Sequence, residues 1–85
     1  MAKFTHRQGQ FLAFIYLYTK LHRQCPAELD MVIFFGVTPP SVHSMVVKLH
    51  YLELITREPG KARTMRVAIK KEEIPELEDV EGPPW

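Results

Sequence analysis

The 85 residues, 46% of them apolar and only one a cysteine, supply one small domain with one core and leave no intramolecular disulfide framework. No apolar run reaches the ~18 residues of a membrane-crossing helix and no secretory pattern is seen at the N-terminus, so a reducing, cytoplasmic setting is expected. The net charge of +1 conceals a partition: all eleven Lys and Arg lie in residues 3–71, where four acids (Glu28, Asp30, Glu53 and Glu58) leave a local net of +7, and the other six acids crowd the last fourteen residues.

Thr5 with Gln8 three residues on is a capping-box signature, and Pro26 stops whatever begins there, so a first helix is predicted over residues 5–23. Phe11, Phe14, Ile15, Tyr18 and Leu21 recur at helical spacing and form its expected core face. Leu12, Tyr16 and Leu17 are apolar as well and carry the hydrophobic arc well past one stripe. A helix apolar around most of its girth needs two partners. We expect these to be the domain's own core and a second copy of the chain, with Leu12, Tyr16 and Leu17 as the homodimer interface; the simpler alternative is a small domain that wraps the helix deeply.

Residues 26–35 read as a second helix, with Glu28 and Asp30 in its first turn complementing the positive end of the dipole. Leu29, Val32 and Ile33, with Phe34 or Phe35, are expected to pack against the helices on either side. Nothing cationic or nucleophilic accompanies the two carboxylates in the sequence, so they are not read as an acid–base pair. The four histidines and Cys25 show no Cys-x-x-Cys and no His pair at i, i+4, and no metal or other cofactor is expected.

Gly36 suits the left-handed position that closes a helix, and Thr38-Pro39 starts the next one: the threonine hydroxyl caps the first turn and the proline gives up an N–H that this turn does not use. On this third helix, residues 38–52, Val42, Met45, Val46, Leu49 and Leu52 form one apolar stripe. The opposite face carries Pro40, Ser44, Val47, Lys48 and Tyr51, flanked by Ser41 and His43, and none of these is acidic. Such a face approaches a polyanion without local repulsion. Helix, glycine turn and capped helix give the outline of a helix-turn-helix.

A β-hairpin follows: residues 54–57 and 63–69 are strand candidates, and Glu58-Pro59-Gly60-Lys61-Ala62 is the turn between them. Arg57, Lys61, Arg63 and Arg66 lie on or beside its tip, making a basic wing. From Lys70 the periodicity dissolves. Residues 72–85 are expected to be an acidic, mobile, solubilising tail on a domain of residues 1–71, with Ile74 and Leu77 tucked back; a sharper alternative has the tail compete with DNA for the wing. Trp85 is either exposed or a docking anchor.

Five segments together resemble a known family: Thr5-His6-Arg7-Gln8, Cys25-Pro26-Ala27-Glu28-Leu29, Thr38-Pro39-Pro40-Ser41-Val42, the run from Leu49 to Arg57, and the turn from Glu58 to Arg63. In their order and spacing over residues 4–70 the chain resembles the winged helix-turn-helix DNA-binding domain of LexA-type repressors and, more loosely, the MarR-like regulators. The resemblance implies an α+β, mainly α fold of three helices and a C-terminal two-stranded wing, and it implies DNA binding. It does not extend to the self-cleaving peptidase domain of LexA repressors, so the DNA-damage switch is not implied.

The expected function is sequence-specific binding of double-stranded DNA by a dimeric transcription regulator acting as a repressor. Pro40, Ser41, His43, Ser44, Val47 and Lys48 are the expected base readers in the major groove. Thr38, Arg57, Lys61, Arg63, Arg66 and Arg7 are the expected phosphate contacts. The alternative is a winged-helix module that binds protein and not DNA. An enzyme has no support, since the sequence carries no phosphate loop, no nucleophile–base spacing and no sign of a small-molecule substrate.

Overall fold

The computed structural model describes residues 3–78, so the expectations for residues 79–85, Trp85 included, lie outside the described residues. In chain order the protein forms α1 (His6–His22), α2 (Glu28–Phe35), α3 (Pro39–Tyr51), β1 (Ile55–Thr56), β2 (Arg66–Val67) and a single 3-10 turn at Lys71–Glu73. This is an α+β, mainly α fold: three helices and a two-stranded antiparallel hairpin, in the layout of a winged helix.

Local chemistry sets the helix ends. Gln8 N–H donates to Thr5 Oγ1 at 3.1 Å while Thr5 N–H donates to Gln8 Oε1 at 2.9 Å, the reciprocal capping box that starts α1. α2 begins two residues later than the sequence suggests, because Ala27 is still extended (φ −90°, ψ 165°) and donates its N–H to Asp30 Oδ2 at 2.7 Å. Gly36 closes α2 in the left-handed region, φ 64°, with its N–H on Val32 O at 3.0 Å. The chain then bends by 117° into α3, which Thr38 caps from Oγ1 to Ser41 N–H at 3.4 Å.

The core is assembled from Phe11, Leu12, Phe14 and Ile15 of α1, Met31 of α2, Val42, Val46 and Leu49 of α3, and Leu54, Ile55 and Met65 of the hairpin. The Phe11 and Phe35 rings stack at 4.3 Å between centroids, and Phe34 and Phe35 both reach Phe14. Four expectations are corrected here. Leu12 is fully buried and belongs to the chain's own core, so it has no surface to offer a second copy. Leu29 and Ile33, each 62% exposed, face outward, because α2 turns Met31, Phe34 and Phe35 inward at i, i+3, i+4 and the aromatic contacts occupy that side. Leu21, 76% exposed, lies beyond the reach of the core in the last turn of α1, and Leu52, 38% exposed, is already past the end of α3.

The hairpin is shorter than predicted. Ile55 pairs with Val67 and Thr56 with Arg66, and Ala68 N–H extends the ladder to Leu54 O at 2.9 Å. Residues 57–65 instead fold as a compact turn. Gly60 (φ 81°) and Arg63 (φ 57°) each reverse the chain through the left-handed region, and Thr64 Oγ1 accepts Glu58 N–H at 2.9 Å across the turn.

After the 3-10 turn the chain runs back along α1. Gln10 Nε2 donates to Glu76 O at 2.9 Å and Gln10 Oε1 accepts Glu78 N–H at 2.7 Å, so one side-chain amide pairs with the backbone as a neighbouring strand would. Leu77 packs against the core and His6 Nε2 lies 3.1 Å from Glu78 Oε1. The first residues of the acidic segment, 74–78, are therefore built into the fold, with Ile74 and Leu77 both half-buried. Among the described residues no single helix is long and apolar enough to cross a membrane.

Candidate nucleic-acid interface

Burial of Val42, Val46 and Leu49 turns the opposite face of α3 to solvent, and with it all six expected base readers: Pro40, Ser41, His43, Ser44, Val47 and Lys48 are exposed. The face mixes hydroxyls at Ser41 and Ser44, a compact apolar patch at Val47, which is 45% exposed, and a cation at Lys48. The Lys48 ammonium sits 5.8 Å from the Tyr51 ring centre, which holds it along the helix. Helix and cap are fixed by the core and by Thr38, so these groups are presented from a rigid element.

One carboxylate intrudes on that face. Glu28, in the first turn of α2, places Oε1 and Oε2 at 3.2 and 3.1 Å from His43 Nδ1. The sequence pattern gives Glu28 and Asp30 a helix-dipole role with no cation beside them. Each has a partner instead, His43 for Glu28 and Arg63 for Asp30. Both partners are remote in sequence, which is why the pattern of residues 26–35 does not reveal them.

The expected phosphate contacts divide into those presented and those engaged. Arg66 and Lys61 are exposed on the wing, Lys61 with Glu58 at 3.6 Å in a surface pair worth little. Arg57 is half-buried and lines the cleft between the wing and His43. The Thr38 hydroxyl is occupied by the cap and donates to Ser41 Oγ at 2.9 Å. Arg7 lays its guanidinium near the Phe11 and Phe35 rings, at 5.6 and 5.3 Å from their centres.

Arg63 departs most from expectation. Far from projecting with the other wing cations, its Nη1 reaches Cys25 O at 3.2 Å and Tyr18 Oη and Asp30 Oδ2 at 3.3 Å. The hydrogen bond with Tyr18 and then the charges around it raise the guanidinium pKa above its ordinary value, against an opposing effect of desolvation. Its anchors, Tyr18, Asp30 and the Cys25 carbonyl, carry no mark in the sequence that ties them to the wing. The one available signal is the turn chemistry around Gly60, which makes a second reversal of the chain nearby plausible.

Of the expected dimer residues, Tyr16 is half-buried and Leu17 is 36% exposed. They border a shallow groove between α1 and the returning segment, where Ile74, Pro75 and Leu77 form the other wall. Among the described residues no group of three or more His, Cys, Asp or Glu is placed to hold a metal ion. No protein-family model and no curated protein matches the chain.

Proposed function

We propose that the protein is a sequence-specific, double-stranded-DNA-binding transcription regulator of the cytoplasm, acting as a repressor and as a homodimer through the Tyr16–Leu17 edge of α1. The observation that carries this reading is the solvent-facing side of α3, with Pro40, Ser41, Ser44, Val47 and Lys48 side by side on a capped, rigid helix and Arg57, Lys61 and Arg66 on the hairpin that follows. The resemblance of the sequence to LexA-type DNA-binding domains supports it further. In this reading α3 lies in the major groove: the Ser41 and Ser44 hydroxyls meet base edges, Val47 or Pro40 meets a thymine methyl, and the wing meets phosphates.

The test is fluorescence-anisotropy binding to a random-sequence duplex across a salt series, with the Lys48→Ala/Lys61→Ala variant in parallel. Removal of one phosphate-neutralising cation should reduce the log–log salt slope by about 0.9, so the double variant should reduce it by up to twice that. Binding that is absent, or indifferent to both salt and variant, sinks the proposal.

A second reading draws on the apolar surface of the helices. Leu21, Leu29 and Ile33 are each more than half exposed, and a winged-helix module that binds protein would use such a surface. It predicts partner binding that survives the Lys48→Ala/Lys61→Ala change.

A further inference from the structure

A wing that contributes to binding must be held at a defined angle to α3, yet the hairpin ladder holding it is short, two residue pairs and the one further bond from Ala68 N–H to Leu54 O. Thr64 braces the turn of residues 57–65 internally and Met65 roots its end in the core, and Arg63 is the residue of the turn whose side chain reaches both α1 and α2. Its backbone sits at φ 57°, a left-handed conformation that costs a non-glycine residue on the order of 1 kcal/mol, and this conformation aims the side chain back towards the helices instead of outward. From there one nitrogen spans three separate parts of the chain: Tyr18 on α1, the Cys25 carbonyl in the α1–α2 turn, and Asp30 in the first turn of α2. Cys25 itself is buried.

We infer that Arg63 is a positioning residue of the interface: it ties the wing to α1 and α2 and sets the wing's angle to α3, and it is not itself a phosphate contact. The inference rests on the DNA-binding reading for its function, while the tether itself is testable in the free protein.

Simple electrostatics and positioning predict opposite signs for one variant. Tyr18→Phe/Asp30→Asn removes one acceptor and one negative charge while the asparagine oxygen still caps Ala27. If charge alone mattered, it would tighten DNA binding. If Arg63 positions the wing, it should instead weaken binding as Arg63→Ala does, by about tenfold or less, with the salt slope unchanged in both.

The experiment has two arms. In the free protein, amide exchange is measured at Glu58 and Lys61 in the wing turn and at Ile15 and Val46 in the core, for wild type, Arg63→Ala and Tyr18→Phe/Asp30→Asn. Both variants should speed exchange in the wing, Arg63→Ala the more because the double variant keeps the Cys25 carbonyl as an anchor, and both should leave the core amides as they were. Wing exchange at the wild-type rate, or faster exchange throughout the molecule, overturns the inference. In the second arm the same three proteins are titrated with the random-sequence duplex across salt. Weaker binding confined to Arg63→Ala, with the slope flattened by about 0.9, would make Arg63 a phosphate contact and overturn it too. Should wild type not bind duplex at all, the DNA reading fails and the first arm alone decides the tether.

Discussion

Gly9 lies directly beneath Pro75. A Cβ at Gly9 would stand 3.0 Å from Pro75 Cγ and 2.9 Å from Phe4 Cε1, closer than such atoms pack. The residue therefore lets the returning segment close onto the first turns of α1. In an exposed helix Gly→Ala stabilises by roughly 1 kcal/mol, whereas overpacking costs about 1–3 kcal/mol, so the steric term should win. Gly9→Ala is expected to lower the melting temperature and to speed amide exchange at Leu77 and Glu78. A rise in melting temperature would show that the segment gives way at no cost.

Thr38 supplies the start of α3 and through it the orientation of the whole outer face. Thr38→Ala should cost about 1 kcal/mol, read as an earlier midpoint in urea with an unchanged slope, and Thr38→Ser should recover most of that stability. An alanine variant as stable as the wild type would mean that Pro39 alone defines the helix start.

Glu28 sets a carboxylate against His43 at the edge of the outer face of α3. Replacing it with glutamine keeps a hydrogen-bond acceptor for His43 and removes the charge, so duplex affinity should rise by on the order of threefold at low salt, with less gain as salt screens the site. Anisotropy titration at two ionic strengths measures this. A fall in affinity would instead mean that the carboxylate serves to aim the imidazole.

On the α1 edge, Leu17→Glu puts a charge where a second copy is proposed to pack, while Leu17 is exposed enough for the fold to tolerate it. Sedimentation velocity should show a dimer for the wild type and a monomer for the variant, with melting measured on the monomer changed by less than about 0.5 kcal/mol. A wild type that sediments as a monomer at every concentration would remove α1 from the assembly.

Where the chain announces itself locally, sequence and structure agree to within a residue or two. Thr5 with Gln8, Gly36, and Thr38 with Pro39 are each satisfied by atoms a few positions away, so no distant information is needed. The face of α2 is harder, because six of its eight residues are apolar and two different faces share helical spacing. Stacking of Phe35 on Phe11 decides between them, and that is a contact between helices. The place of Leu12 is hidden for the same reason, since α1 is apolar on nearly every side and only the packed core shows which side is taken. The wing's cations are legible in the sequence, but the inward turn of Arg63 depends on partners 33 to 45 positions away, to which periodicity is blind.

The pairing of Gln10 with the backbone of Glu76 and Glu78 also brings the two described ends of the chain to one corner, with His6 and Glu78 in contact. A polypeptide that enters and leaves at the same point can be set into a surface loop of another protein like a bead on a short stalk, or rejoined end to end and opened elsewhere. An opening at the exposed Pro59 and Gly60 would cut the wing turn and the Lys61 N–H to Glu58 O bond that spans it, so it would separate folding from the proposed binding.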